Sequence, residues 1–185
     1  TPSKALLKVE SHKIAEQIAF EWMAQKEVVD PATMPNTRMA NSVIDKIMVN
    51  RQAVIDMLAE YAGSDLLCYR ATTPQGLINH QNEIWNPILN WSKNSLLAPM
   101  LTTSGVMHIK QSIKSISIYQ DKLEEMNPYQ LAGMHDLITI SGSFVISMAL
   151  ISNQLNVFDA WYAATVDERW QENQWGIDDE AAEAL

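Results

Sequence analysis

The chain has 185 residues, of which 47% are apolar and 19% charged, and its net charge is −9. This composition is typical of a globular protein and excludes a disordered chain, while the charge excludes nucleic acid as a partner because phosphate binding needs clustered Lys and Arg. The single cysteine, Cys68, has no partner for an internal disulfide. The most apolar run, 137–151, is shorter than the roughly 20 residues of a membrane span, so no stable membrane insertion is expected.

Apolar residues that recur at steps of three and four predict helices along most of the chain. The predicted helices cover 12–26, 35–48, 53–61, 74–91, 109–126, 128–150 and 157–175. Only 66–69 and 99–105 are strand candidates. The predicted fold class is therefore mostly α, a multi-helix domain with at most a short strand pair, and 1–185 is expected to form a single helical domain.

Cap residues place several helix ends more sharply than the apolar pattern does. Ser11 is a suitable N-cap, and Asn127 followed by Pro128 has the sequence of a new helix start. Gly142 is expected to break the following helix in two, and Asn156 is expected to cap the last one.

The last stretch of the chain carries the strongest candidate site. Read as one helix over 157–175, it places Trp161, Glu168, Gln171 and Trp175 on one face. Tryptophans on both flanks predict that the carboxylate of Glu168 is partly desolvated, which costs free energy unless a partner supplies hydrogen bonds.

The same stretch is strongly acidic. Seven acids and one base lie between 167 and 185, a net charge of −6 out of the chain's −9. Gly176 is expected to stop the helix, and Asp178, Asp179, Glu180 and Glu183 follow it, so a cationic partner would find its counter-charge here.

Enzyme motifs are absent from the sequence: it has no glycine-rich phosphate loop, no paired-cysteine zinc spacing and no nucleophile elbow. No catalytic residue, metal site or cofactor is therefore predicted. Glu168 with Asp178 is the one carboxylate pair that suggests acid–base chemistry, and a hydrolase or lyase using this pair is the alternative function. His135 and Asp136 are adjacent and could belong to a functional site, but a capping or core role is the simpler interpretation of this pair.

Two further residues are candidates for binding. Trp22 is a core residue by default, although tryptophan is also a common anchor at protein interfaces. Arg70 follows the apolar run LLCY and either clamps a carboxylate or forms a buried structural ion pair.

Several segments resemble the Atp-twelve family, assembly chaperones of the F-type ATP synthase. The matching segments are IAFEWMAQ at 18–25, DLLCYRATTPQGLINHQNEIWNPILNW at 65–91, HDLITISGS at 135–143 and VDERWQENQWGIDDEAAE at 166–183. They occur in the family's order and span essentially the whole chain.

This resemblance implies a non-enzymatic function. Chaperones of the family bind the unassembled α subunit of the catalytic head and prevent its aggregation until the β subunit replaces them. The family's acidic position in the motif Asp-Glu-x-x-Gln-x-x-x-Trp-Gly falls on Glu168, with Asp167 beside it, and Trp22 matches a tryptophan of the first family helix. The residues expected to bind the client or to be critical for the chaperone are Glu168, Asp167, Gln171, Trp175, Trp161, Asp178, Trp22 and Arg70.

The resemblance also sets expectations about the rest of the protein. Family members combine a β-rich N-terminal portion with a helical domain, and we expect that portion to be missing or minimal here, with 1–10 as its remnant. A monomer is expected, located in the bacterial cytoplasm or, in a eukaryote, the mitochondrial matrix. A homodimer in which the aromatic stripe forms the seam is the remaining structural alternative.

Overall fold

The structure, a computed structural model that describes residues 1–176, is built around the apolar helix α7 (Phe144–Ile151). Six of its eight residues are buried, as expected for a helix that is apolar on all sides. The Ser143 hydroxyl caps its N-terminus by accepting a hydrogen bond from the Ile146 N–H at 3.0 Å. Four other helices, Arg51–Ala62, Gln75–Trp91, Pro128–Ser141 and Val157–Ala164, pack around α7.

Nine α-helices lie within residues 1–176, so the predicted mostly α fold class is confirmed. They are α1 (His12–Met23), α2 (Pro35–Ser42), α3 (Arg51–Ala62), α4 (Gln75–Trp91), α5 (Ile113–Glu124), α6 (Pro128–Ser141), α7, α8 (Val157–Ala164) and α9 (Val166–Trp175). Short 3-10 turns occupy Pro31–Thr33 and Leu66–Cys68, and single π-turns follow α2 and α4 at Val43–Ile47 and Ser92–Leu96. None of these described helices is long and apolar enough to cross a membrane.

A pair of two-residue strands joins the connections on either side of α4. Strands β1 (Tyr69–Arg70) and β2 (Thr103–Ser104) run parallel, with Tyr69 opposite Thr103 and Arg70 opposite Ser104. The prediction of a short strand pair near 66–69 and 99–105 is thus confirmed, although most of each predicted strand is turn or irregular chain.

The predicted caps are present. Ser11 and Asn156 each accept a hydrogen bond from a first-turn N–H, and Asn127 forms a reciprocal capping box with Gln130. Gly142 ends α6 with a φ of 66°, a left-handed conformation that glycine adopts without a steric penalty.

Helix α5 begins four residues later than predicted, at Ile113. The Gln111 side chain explains the difference, because it accepts from the Leu101 N–H at 2.8 Å and donates to the Leu101 carbonyl at 2.9 Å. This pairing holds the chain before Ile113 against the β2 connection and out of the helix.

The prediction of one helix over 157–175 is wrong. Thr165 has φ −110° and ψ 26°, which separates α8 from α9. Its hydroxyl donates to the Trp161 carbonyl at 2.8 Å and accepts from Nε of Arg169 at 2.9 Å. The break changes the direction of the side chains that follow it, so the predicted single face is not formed.

Candidate functional site

A cavity of about 290 Å3 lies where the C-terminal end of α6 meets α8 and α9. We call it the acidic cavity, because Asp167 and Glu168 are the only charged residues in its lining within 1–176. Its lining consists of Leu66, Trp85, Thr139, Ile140, Ser141, Gly142, Trp161, Ala164, Thr165, Asp167 and Glu168. Three of the predicted site residues, Trp161, Asp167 and Glu168, are therefore brought together here.

Large apolar side chains are exposed at and near this cavity. Ile140 in its lining is 67% exposed, and Phe158, one turn before Trp161 on α8, is 85% exposed. Tyr162 beside Trp161 is 40% exposed. Exposed apolar residues that cluster around polar groups are typical of a protein-interaction surface.

Asp167 has a bracing role in the structure. Its Oδ1 accepts a hydrogen bond from Nε2 of Gln81 on α4 at 2.7 Å. The buried Gln81 continues the network, because its Oε1 accepts from the Ala71 N–H at 2.8 Å and its carbonyl accepts from Arg70 at 3.0 Å. Asp167 thereby fixes the first turn of α9 to α4 and to the chain after β1.

Glu168, in contrast, is exposed at the mouth of the cavity, and no hydrogen bond joins its carboxylate to another described residue. The expectation that it is desolvated among tryptophans is wrong. Gln171 is also exposed and does not bind Glu168. Within the described part of the chain, the carboxylate is consequently available to a partner without first losing an internal contact.

Trp170 points away from Glu168 because it packs on the first turns of α4. A Cβ at Gly76 would lie 2.5 Å from Cη2 of Trp170, so only glycine permits this approach. The Trp170 ring also lies 6.2 Å from the ring of His80, whose Nε2 is 3.3 Å from the Tyr162 hydroxyl. The tryptophan therefore packs α9 onto α4 instead of lining the acidic side of α9.

Arg70 is buried, but its guanidinium forms no ion pair with a carboxylate among residues 1–176. The prediction of a carboxylate partner for Arg70 is therefore wrong for the described residues. Its guanidinium donates to the Gln81 carbonyl at 3.0 Å and to Oδ1 of Asn86 at 3.1 Å, and it lies 5.0 Å above the Trp85 ring. Burial lowers the pKa of Arg70 below its ordinary value. The Trp85 indole in turn donates to the Ala163 carbonyl at 2.8 Å. Because Trp85 lines the acidic cavity, Arg70 supports the cavity wall through its contact with this ring.

The remaining predicted residues do not line the acidic cavity. Trp175 lies at the end of α9 and is 80% exposed, and Trp22 lies on α1 and is 51% exposed. Asp178 lies outside the described residues, so the structure describes only Glu168 of the carboxylate pair that the acid–base alternative requires. No group of three His, Cys, Asp or Glu side chains suited to a metal ion occurs within the described part of the chain.

Sequence reasoning missed Ile140, Phe158 and Gln81. Phe158 could have been predicted from the sequence. It precedes Trp161 and Tyr162 by three and four residues in a helix with the N-cap Asn156, and this spacing places the three rings on one side of the helix. Gln81 had none, since its contact with Asp167 joins residues 86 positions apart.

The fold is that of the Atp12 proteins of known structure. The chain superimposes on Atp12 from Paracoccus denitrificans with a TM-score of 0.92 at 37% identity, covering 99% of this chain and 78% of the other. The Agrobacterium tumefaciens protein Atu1473 gives a TM-score of 0.93 at 39% identity, covering 100% of this chain and 69% of the other.

Sequence comparison gives the same result. The family described as ATP12 chaperone protein matches residues 1–93. The Schizosaccharomyces pombe protein named "Protein atp12, mitochondrial" is 25% identical over 195 residues, covering 99% of this chain and 67% of that protein. The chain belongs to the ATP12 chaperone family, which confirms the resemblance seen in its motifs.

Proposed function

We propose that this chaperone assists assembly of the F-type ATP synthase catalytic head by binding the unassembled α subunit and preventing its aggregation until the β subunit replaces it. The family membership supports the chaperone class. The acidic cavity is the observation that supports this site, because an exposed carboxylate and exposed apolar side chains occur together there without an enzyme-like constellation in the described lining.

The contact surface in this proposal consists of the acidic cavity together with Ile140, Phe158 and Trp175. Aromatic anchors supply most of the binding free energy at protein interfaces, and a charge at the rim adds orientation and association rate. Glu168 is the contacting acid because its carboxylate is exposed and has no hydrogen-bond partner within residues 1–176, whereas Asp167 positions α9 through Gln81. A polar, moderate interface of this kind can be displaced by a second subunit.

The proposal also includes the setting of the protein. Residues 1–185 act as a single helical chaperone domain, as a monomer without cofactor. The relatives from Paracoccus and Agrobacterium favour the bacterial cytoplasm, and the mitochondrial relative favours the matrix if the host is eukaryotic.

Suppression of α-subunit aggregation by Glu168→Lys tests the site. We expect the variant to keep its thermal stability, because Glu168 is exposed and has no partner among residues 1–176, and to protect the α subunit at least fivefold less well, because a cation now faces the client. Glu83→Lys on α4 is the matched control, since Glu83 is exposed and lies outside the cavity lining. A folded Glu168→Lys variant that protects as well as wild type would show that the contact lies elsewhere.

A further inference from the structure

A second groove lies between α2, the π-turn Val43–Ile47, α3 and α6. Its volume is about 540 Å3, nearly twice that of the acidic cavity, and none of its lining residues belongs to that cavity. We call it the basic-rimmed groove. Its apolar floor is formed by Met39, Ile47, Val54, Met57 and Ala132.

The floor suits a helical or irregular apolar surface. Two of its side chains are methionines, which are unbranched and adapt to partners of varied shape. Met57 remains 38% exposed although it lies within the groove, so apolar surface is left uncovered there.

The rim carries the opposite charge from the rest of the molecule. Arg38 and Lys46 are both exposed, and neither forms an ion pair with a carboxylate within residues 1–176. Among the described lining residues Asp136 is the one acid, and its Oδ1 lies 3.2 Å from Nδ1 of the neighbouring His135. The groove therefore presents a net positive charge in a chain whose overall charge is −9.

We propose that the basic-rimmed groove binds an acidic amphipathic helix of a partner protein. Its apolar side would lie on the methionine-containing floor, and carboxylates on the flanks would pair with Arg38 and Lys46. All lining segments are helices or a helical turn, so the groove offers no strand edge for an extended peptide. Nucleic acid and anionic membranes fit less well, because two cations are too few to offset the repulsion from an acidic chain.

A pair of synthetic peptides tests the charge preference. The acidic probe is a fluorescein-labelled 14-residue helix with Leu at i, i+3, i+4 and i+7 and Glu on both flanks, and the basic probe has Lys at the same flank positions. By fluorescence anisotropy, we expect the acidic peptide to bind at least tenfold more tightly than the basic one and to weaken as salt is raised. Equal affinity for the two peptides would contradict the proposal.

Charge reversal locates the site. The double variant Arg38→Glu with Lys46→Glu is expected to lose the acidic peptide at least tenfold and to gain affinity for the basic peptide. Lys93→Glu with Lys114→Glu is the matched control, because both lysines are exposed on helical segments outside the groove lining. Unchanged binding of the acidic peptide to a folded groove variant would overturn the assignment.

The apolar floor is tested separately by Met57→Ala, with Met107→Ala as the control. Met107 is 77% exposed and lies outside the groove lining, so its truncation is expected to leave peptide binding unchanged. Met57→Ala is expected to weaken binding several-fold without altering the charge. This variant also tests the groove if the charge-reversed protein fails to fold.

Further outcomes separate this inference from the α-subunit function. Peptide binding that survives Glu168→Lys but not the groove variant supports an independent second site, whatever the client proves to be. Failure of the peptide together with groove-dependent binding to phosphatidylserine vesicles would replace the protein partner with a lipid surface. Groove-dependent dimers in light scattering would instead assign the groove to a second copy of this chain.

Discussion

Asp65 is a carboxylate fully buried between the α3–α4 connection and the N-terminus of α7. Its oxygens accept hydrogen bonds from the Leu67 N–H at 2.9 Å, the Val145 N–H at 2.9 Å and the Ser143 hydroxyl at 3.0 Å. Burial, opposed by these hydrogen bonds, raises the pKa of Asp65 to about 6. Asp65 is thus a structural residue that holds the central helix to the chain leading into β1.

Asp65→Ala is expected to lower the free energy of unfolding by about 3 kcal/mol or more, because it leaves buried donors without an acceptor and creates a small cavity. A raised folded-state pKa makes this carboxyl most stabilising below its ordinary value, and the contribution declines as pH rises through about 6. The penalty should therefore be about 1 kcal/mol larger at pH 5 than at pH 7.5. Urea unfolding at the two pH values, with the exposed Asp121→Ala as control, measures both effects.

Asp167 and Glu168 are neighbours with different roles. Asp167→Asn turns the charged acceptor of the Gln81 hydrogen bond into a neutral one, and we expect a loss of about 1 kcal/mol in unfolding free energy together with faster amide exchange in α9. Glu168→Gln is its natural control, since an exposed side chain with no partner among the described residues should change stability by less than about 0.5 kcal/mol. Equal effects of the two substitutions would contradict the assignment of Asp167 as the residue that holds α9 to α4 and of Glu168 as the residue that contacts the client.

Helix α1 is attached to the rest of the molecule by few groups. Ile18 is its one buried residue, and the Glu21 carboxylate accepts four hydrogen bonds from the backbone and side chains of Asn36 and Thr37 at 2.7–2.8 Å. Because Met34 provides no side-chain cap for α2, Glu21 acts as that cap from another helix. The contact positions an α1 surface that exposes Phe20 and Met23.

Glu21→Gln should release α1 without unfolding the core. Although burial acts to raise it, the hydrogen bonds from Thr37 and Asn36 together hold the pKa of Glu21 below its ordinary value of 4.5. Its stabilisation is therefore present above pH 4.5 and is lost as pH falls through the lower folded-state value. Hydrogen exchange at pH 7 should accelerate across α1 but not α7, and Glu16→Gln on the exposed face should change neither.

Sequence signals predicted those elements whose ends depend on local chemistry. Asn127, Gly142 and Asn156 marked helix ends correctly, because caps act on backbone groups a few residues away. Thr165 with Glu168 has the spacing of a capping box, a signal that a helix starts there, but the Thr165 hydroxyl instead binds the Trp161 carbonyl. The long-range contacts Gln81–Asp167 and Trp170–Gly76, which orient α9, have no local signal at all.

At the scale of the whole molecule, two surfaces of opposite charge occur on one acidic chain. The acidic cavity has two carboxylates and no described cation in its lining, while the basic-rimmed groove has Arg38 and Lys46. The acidic cavity would therefore favour a client with positive charge, and the basic-rimmed groove would favour a partner helix with negative charge. Both associations are expected to weaken with salt, since the contacting charges are exposed.

The function we propose is that this chain binds the unassembled α subunit and yields it to the β subunit. Size-exclusion chromatography with light scattering, on the isolated α subunit mixed with an equal amount of this chain, measures it directly. We predict a soluble 1:1 complex that disappears when the β subunit is added, with this chain released as a monomer. The absence of a complex, or a complex that persists in the presence of the β subunit, would contradict the account.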